Sequence, residues 1–119
     1  MTDLIERLEK EGGSRKLDWA IECELGPSHV DDIRARNRDF GLREPRKTGA
    51  GQWDIPYPEY TLSLEHATML AERSCGTRNQ FIDVFKMAVD QWASDESLDL
   101  RSLPKYVIIA LLRALEDGK

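Results

Sequence analysis

The sequence predicts a mainly α fold with a small β element, an α+β domain whose helices pack around a buried C-terminal helix. Residues 106–115 are apolar on nearly every side, which in a water-soluble chain indicates burial at the centre. Residues 77–92 carry a single apolar face at helical spacing. Serine or threonine precedes several of the apolar runs, as N-capping residues do. A chain of 119 residues has material for one core, so we predict one domain over residues 1–119.

Three helices are predicted in the N-terminal third. The first contains an apolar stripe of Leu4, Ile5 and Leu8 and ends at Gly12 and Gly13. The second follows the N-cap Ser14 and ends at Gly26 and Pro27, with Leu17, Ile21 and Leu25 at helical spacing. A short third helix is predicted over residues 30–37.

The next segment, residues 38–58, is predicted to be a flexible loop because glycines and prolines interrupt it repeatedly. Six basic residues and two acidic ones lie between positions 34 and 47, a local charge of +4 in a chain whose net charge is -5. Arginines followed by aromatic side chains are typical of surfaces that grip nucleic acid or acidic protein. The predicted binding residues are Arg34, Arg36, Arg38, Arg43, Arg46, Lys47, Trp53 and Tyr57.

A short strand is predicted over residues 59–62, followed by a helix that Ser63 caps and that Cys75 and Gly76 end. Thr77 and Gln80 form a capping-box pattern at the start of the amphipathic helix. Residues 94–102 are predicted to be an acidic connector, and Pro104 suits the first turn of the last helix.

No motif for catalysis or metal binding is found. The residues Cys23, His29, His66 and Cys75 are too widely and irregularly spaced for a typical zinc site, whose ligands come in close pairs. Ser63 lies near His66, but helix capping accounts for it, and no phosphate-binding loop is present. We therefore predict a protein that is not an enzyme, with no catalytic residues, no metal and no cofactor.

The first residues, MTDLIERLEKEGG, are acidic and amphipathic, unlike the basic and apolar regions of a secretion signal. No apolar run approaches the length that crosses a bilayer. The two cysteines, 52 positions apart, do not indicate a disulfide framework. These observations predict a cytoplasmic protein without a membrane partner.

Three stretches carry a family resemblance: residues 4–9 (LIERLE) followed by 14–21 (SRKLDWAI), residues 58–67 (PEYTLSLEHA), and residues 104–115 (PKYVIIALLRAL). Together they resemble the small phage and prophage proteins of the phage ABA sandwich domain family. The family usually places strands before its final helix, whereas residues 77–93 here predict a helix. The resemblance implies a phage or prophage origin, and it implies no activity because the family has none assigned.

The leading functional hypothesis is a phage or prophage accessory protein that acts by binding another protein. A more specific version is an inhibitor of a host defence complex, similar to an anti-CRISPR protein, which uses either its acidic face or the basic loop. The alternatives are a nucleic-acid-binding protein that uses the loop from Arg34 to Lys47, or an enzyme without a recognisable motif. Exposure of Trp92 and Phe85 on the amphipathic helix would predict self-association, and thus a homodimer, through that face.

Overall fold

The computed structural model describes residues 2–95 and 99–117, and its helices and strands are numbered here in chain order. They are α1 (Thr2–Glu11), α2 (Arg15–Leu25), α3 (Val30–Asp39), β1 (Arg46–Lys47), β2 (Trp53–Asp54), α4 (Leu64–Ser74), α5 (Arg78–Ala93) and α6 (Leu103–Asp117). A short 3-10 helix, Leu100–Ser102, leads directly into α6. The predicted fold class, mainly α with a small β element, is confirmed.

The last helix, α6, forms the centre of the core. Its first ten residues include eight that are buried: Leu103, Pro104, Val107, Ile108, Ile109, Ala110, Leu111 and Leu112. Helices α5, α4 and α1 pack against it, so the buried C-terminal helix predicted from the sequence is confirmed. None of the described helices is both long enough and apolar enough to cross a bilayer.

The predicted N-caps are also confirmed. The Ser14 hydroxyl accepts a hydrogen bond from the Leu17 amide at 3.2 Å, and Ser63 and Thr77 cap α4 and α5 in the same way. In a capping box the Gln80 side chain would accept from the amide of the N-cap residue, Thr77. Here it accepts instead from the amide of the preceding residue, Gly76, at 2.8 Å. Local capping chemistry therefore decides where three of these helices begin.

The strand predicted over residues 59–62 is wrong, since this segment forms a turn. The Glu59 carbonyl accepts hydrogen bonds from the amides of Leu62 and Ser63, at 3.1 and 2.8 Å. The Thr61 amide donates instead to the buried Asp18 carboxylate at 2.7 Å, so a contact with α2 replaces the ladder that a strand needs. Tertiary contacts here override the strand preference of tyrosine and threonine.

The strands that do form lie inside the segment predicted as a loop. Residues 38 and 39 belong to α3, and β1 and β2 pair as a two-stranded antiparallel sheet within residues 46–54. The flexibility of residues 38–58 stays a prediction. Of the predicted acidic connector, residues 96–98 lie outside the described residues.

Candidate functional site

The most exposed structured element is the hairpin of β1 and β2, residues 46–54. Its register places Arg46 opposite Asp54 and Lys47 opposite Trp53. Gly51, at a φ of +81°, allows the chain to reverse, and the Thr48 amide donates to the Gln52 carbonyl at 2.7 Å. Every residue from 46 to 54 is exposed, so this ribbon presents both of its faces to solvent.

Trp53 is the dominant side chain of the hairpin, with 41% of its surface exposed. The ammonium group of Lys47 lies 5.6 Å from the centre of the indole ring, within range of a cation–π interaction. This cross-strand pair stabilises a two-stranded ribbon that would be marginal in isolation. The exposed indole therefore has a contact of its own across the strands, with Lys47.

The base of the hairpin is clamped by Asn37, which is fully buried at the end of α3. Its side-chain amide donates to the carbonyl of Arg43, before β1, at 3.0 Å and to that of Pro56, after β2, at 3.1 Å. One side chain thus joins the two chain segments that enter and leave the ribbon.

Asn37 is itself held by a buried ion pair. The Arg36 Nε atom donates to the Asn37 side-chain oxygen at 2.7 Å, and its two terminal nitrogens donate to the Glu22 carboxylate at 2.5 and 2.6 Å. The Tyr60 hydroxyl donates to Glu22 at 2.9 Å and accepts from Arg36 at 3.0 Å. Burial opposes the charge on Arg36, but the bonds with Glu22 and Tyr60 outweigh it and raise the arginine pKa.

A second buried carboxylate fixes the turn beyond the hairpin. Asp18 accepts from both the amide and the hydroxyl of Thr61, each at 2.7 Å, and from Arg15 at 3.0 Å. Gly26 leaves room for the Glu22 carboxylate of the buried ion pair, because a Cβ atom at position 26 would collide with it. Together with the hydrogen bonds from Arg15 to the carbonyls of Tyr57 and Pro58, these contacts tie residues 57–61 to α2.

We expect the folded protein to lose stability as the pH rises above about 10, the ordinary pKa of tyrosine. Burial and the adjacent negative charge of Glu22 raise the pKa of Tyr60 in the folded chain. The stabilisation that Tyr60 contributes is therefore complete below the tyrosine pKa of the unfolded chain, and it declines as the pH rises from there towards the pKa of the folded chain. Urea unfolding measured across alkaline pH should show this decline.

The control for this prediction is Tyr60→Phe, which removes the titrating group. The pKa of Tyr106 is also raised, to about 12, by its hydrogen bond to Asp95 together with burial, so part of the slope should survive in the variant. An unchanged pH profile in Tyr60→Phe would contradict the assignment to Tyr60.

The predicted binding residues divide into three groups. Arg38, Arg43, Arg46, Lys47 and Trp53 are exposed. Arg34 is half-buried, with its guanidinium 3.8 Å from Asp31, and Tyr57 packs against both Trp19 and the Arg15 guanidinium. Arg36 is 2% exposed and paired internally, so it has to be removed from the predicted surface set.

Sequence reasoning missed Glu22, Asn37 and Tyr60 as the residues that organise this site. One signal was available: Asp18 and Glu22 are one turn apart on the same side of α2 as Leu17 and Ile21. Acidic side chains on an apolar helix face need buried partners, and Arg36 is one of those partners.

Among residues 2–95 and 99–117, no three His, Cys, Asp or Glu side chains lie where they could share a metal ion. Comparisons with protein-family models, with curated proteins and with solved structures give no match. Within the described residues, the exposed hairpin and the Asn37 side chain that holds its base form the candidate binding site.

Proposed function

We propose that this protein acts by binding another protein, with the hairpin of residues 46–54 as its contact element, and that it is not an enzyme. The observation that carries the proposal is the exposed Trp53, which lies on a ribbon whose base is held by hydrogen bonds from the buried Asn37 side chain. Tryptophan is enriched among the residues that dominate binding energy at protein interfaces. A side chain that is fixed before binding loses less entropy when a partner arrives.

The charge of the folded surface favours a protein partner over nucleic acid. Of the six predicted basic residues, Arg36 is neutralised inside the molecule and Arg34 lies beside Asp31. On the hairpin, Arg46 faces Asp54 across the strands. Nucleic-acid binding normally requires a denser positive surface than the one that remains, and the chain as a whole is acidic.

The setting we propose is a phage or prophage accessory protein, with inhibition of a host defence complex in the manner of an anti-CRISPR protein as its most specific form. The resemblance to the phage ABA sandwich family supports this setting, as do the small size and acidic composition. In that role the protein would obstruct its target by occupying a surface, which requires a rigid contact element and no reaction centre.

The proposal predicts that Trp53→Ala weakens capture of a bacterial partner by about thirtyfold or more, since truncating an interface hot spot costs at least about 2 kcal/mol. The immobilised protein would be exposed to bacterial lysate, and the retained partner identified and titrated against both forms. Leu62→Ala is a matched control because Leu62 is 46% exposed and lies outside the hairpin. Equal capture by wild type and Trp53→Ala would exclude the hairpin as the contact element.

A gel-shift titration with DNA and RNA tests the nucleic-acid alternative. The protein-contact proposal predicts weak binding at about 50 mM salt and none at about 200 mM. Tight binding that falls steeply with salt would overturn it in favour of the alternative.

A further inference from the structure

The outward face of α5 carries an apolar stripe that the described residues 2–95 and 99–117 leave uncovered. Ile82 and Val89 are 38% and 37% exposed, and Phe85 lies half-buried between them. A shallow groove of about 430 Å³ follows this stripe and is lined by Phe81, Ile82, Phe85, Lys86, Val89 and Asp90. All six lining residues belong to the same helix.

Ring packing gives the groove a fixed wall. The rings of Phe81 and Phe85 stack with centroids 6.1 Å apart at an angle of 24°. Two turns beyond Phe85 along α5, Trp92 is half-buried and its indole donates to the Asp99 carbonyl at 2.9 Å. Trp92 is therefore committed to the chain's own packing. The exposure of Trp92 and Phe85 on which the sequence made self-association conditional is not found, since both are half-buried, and the exposed apolar side chains of this face are Ile82 and Val89.

Two opposite charges lie on one side of this stripe. Lys86 and Asp90 are one helical turn apart on α5. Neither is a member of the ion pairs found within the described ranges. A helix face with one cation and one anion beside an apolar stripe is complementary to itself when a second copy lies antiparallel. In that arrangement Lys86 of each copy faces Asp90 of the other.

We propose that the α5 face is a homodimer interface, in which α5 of one copy packs antiparallel against α5 of a second copy about a two-fold axis. Phe85 and Val89 of one copy contact the same residues of the other. At the rim, Lys86 of each copy pairs with Asp90 of the other, and these two equivalent pairs favour the antiparallel orientation. A single helix face buries less than the roughly 800 Å² per partner of a standard interface, so we expect the dimer to be reversible. The hairpin site remains separate from this surface.

Sedimentation equilibrium of the full chain over a range of concentrations tests the proposal. We expect a reversible monomer–dimer equilibrium, and Val89→Asp should raise the dissociation constant by about tenfold or more because it places a charge within the apolar contact. Met87→Asp is the matched control, since Met87 is 49% exposed on the same helix but does not line the groove. A monomer at every concentration, or equal effects of the two variants, would overturn the proposal.

Exchanging the charges at positions 86 and 90 tests whether a second copy of the chain binds this face. Lys86→Glu and Asp90→Lys should each weaken the dimer by placing like charges opposite one another, and the double variant should restore the wild-type dissociation constant. Recovery in the double variant supports the antiparallel pairing. Failure of the double variant to dimerise, while remaining folded by circular dichroism, would refute it.

Discussion

Replacing Arg36 with methionine is expected to lower the free energy of unfolding by about 3–5 kcal/mol. The substitution leaves the Glu22 carboxylate buried without its bidentate partner, and it removes one donor each to Tyr60 and Asn37. Urea unfolding followed by circular dichroism would measure the loss. An effect of this size would consume a large share of the stability of a small domain.

Two further variants show whether the buried charge is the cause. The double variant Glu22→Leu with Arg36→Met removes both charges and should recover part of the loss, although the Tyr60 hydroxyl then lacks its acceptor. Asp39→Ala breaks the exposed pair with Arg73, at 2.9 Å, and should cost less than about 1 kcal/mol. Equal losses from Arg36→Met and Asp39→Ala would contradict the central role of the buried pair.

Replacing Asn37 with alanine should release the hairpin from the body of the protein. The carbonyls of Arg43 and Pro56 and the Nε atom of Arg36 each lose a partner. The Arg36 Nε atom is buried, and a buried polar group left without a partner costs about 1–3 kcal/mol, whereas water can reach the two part-buried carbonyls. Hydrogen exchange should accelerate at the amides of Thr48 and Gly51, which bond within the turn of the hairpin. If Trp53 acts from a clamped position, partner capture should weaken although every contact residue remains.

A destabilising control separates the clamp from general instability. Leu111→Ala empties part of the core on α6 and should lower the free energy of unfolding by about 2–5 kcal/mol while the hairpin amides keep their wild-type exchange. If Leu111→Ala accelerates those amides as much as Asn37→Ala does, the hairpin is coupled to the whole fold and Asn37 is not its clamp.

The sequence identified the strongly basic stretch but not which of its members reach solvent. Arg34, Arg36 and Arg38 occupy alternate positions in α3, and their charge alone does not show which of them is buried. Their burial depends on partners elsewhere in the chain: Glu22 is 14 positions from Arg36, and Tyr60 is 24 positions away. The pairing of Lys47 with Trp53 was likewise invisible, because the residues between them suggested only a loop.

The sequence by itself determined the features that depend on neighbouring residues. The caps Ser14, Ser63 and Thr77 act within one turn, and the all-round apolar character of α6 commits that helix to the core wherever the others pack. Only the tertiary structure decided that Tyr60 and Thr61 form a turn and that Asn37 closes the base of a hairpin. These features follow from polar groups that must find partners once burial removes them from water, and the partners are fixed by how the helices pack.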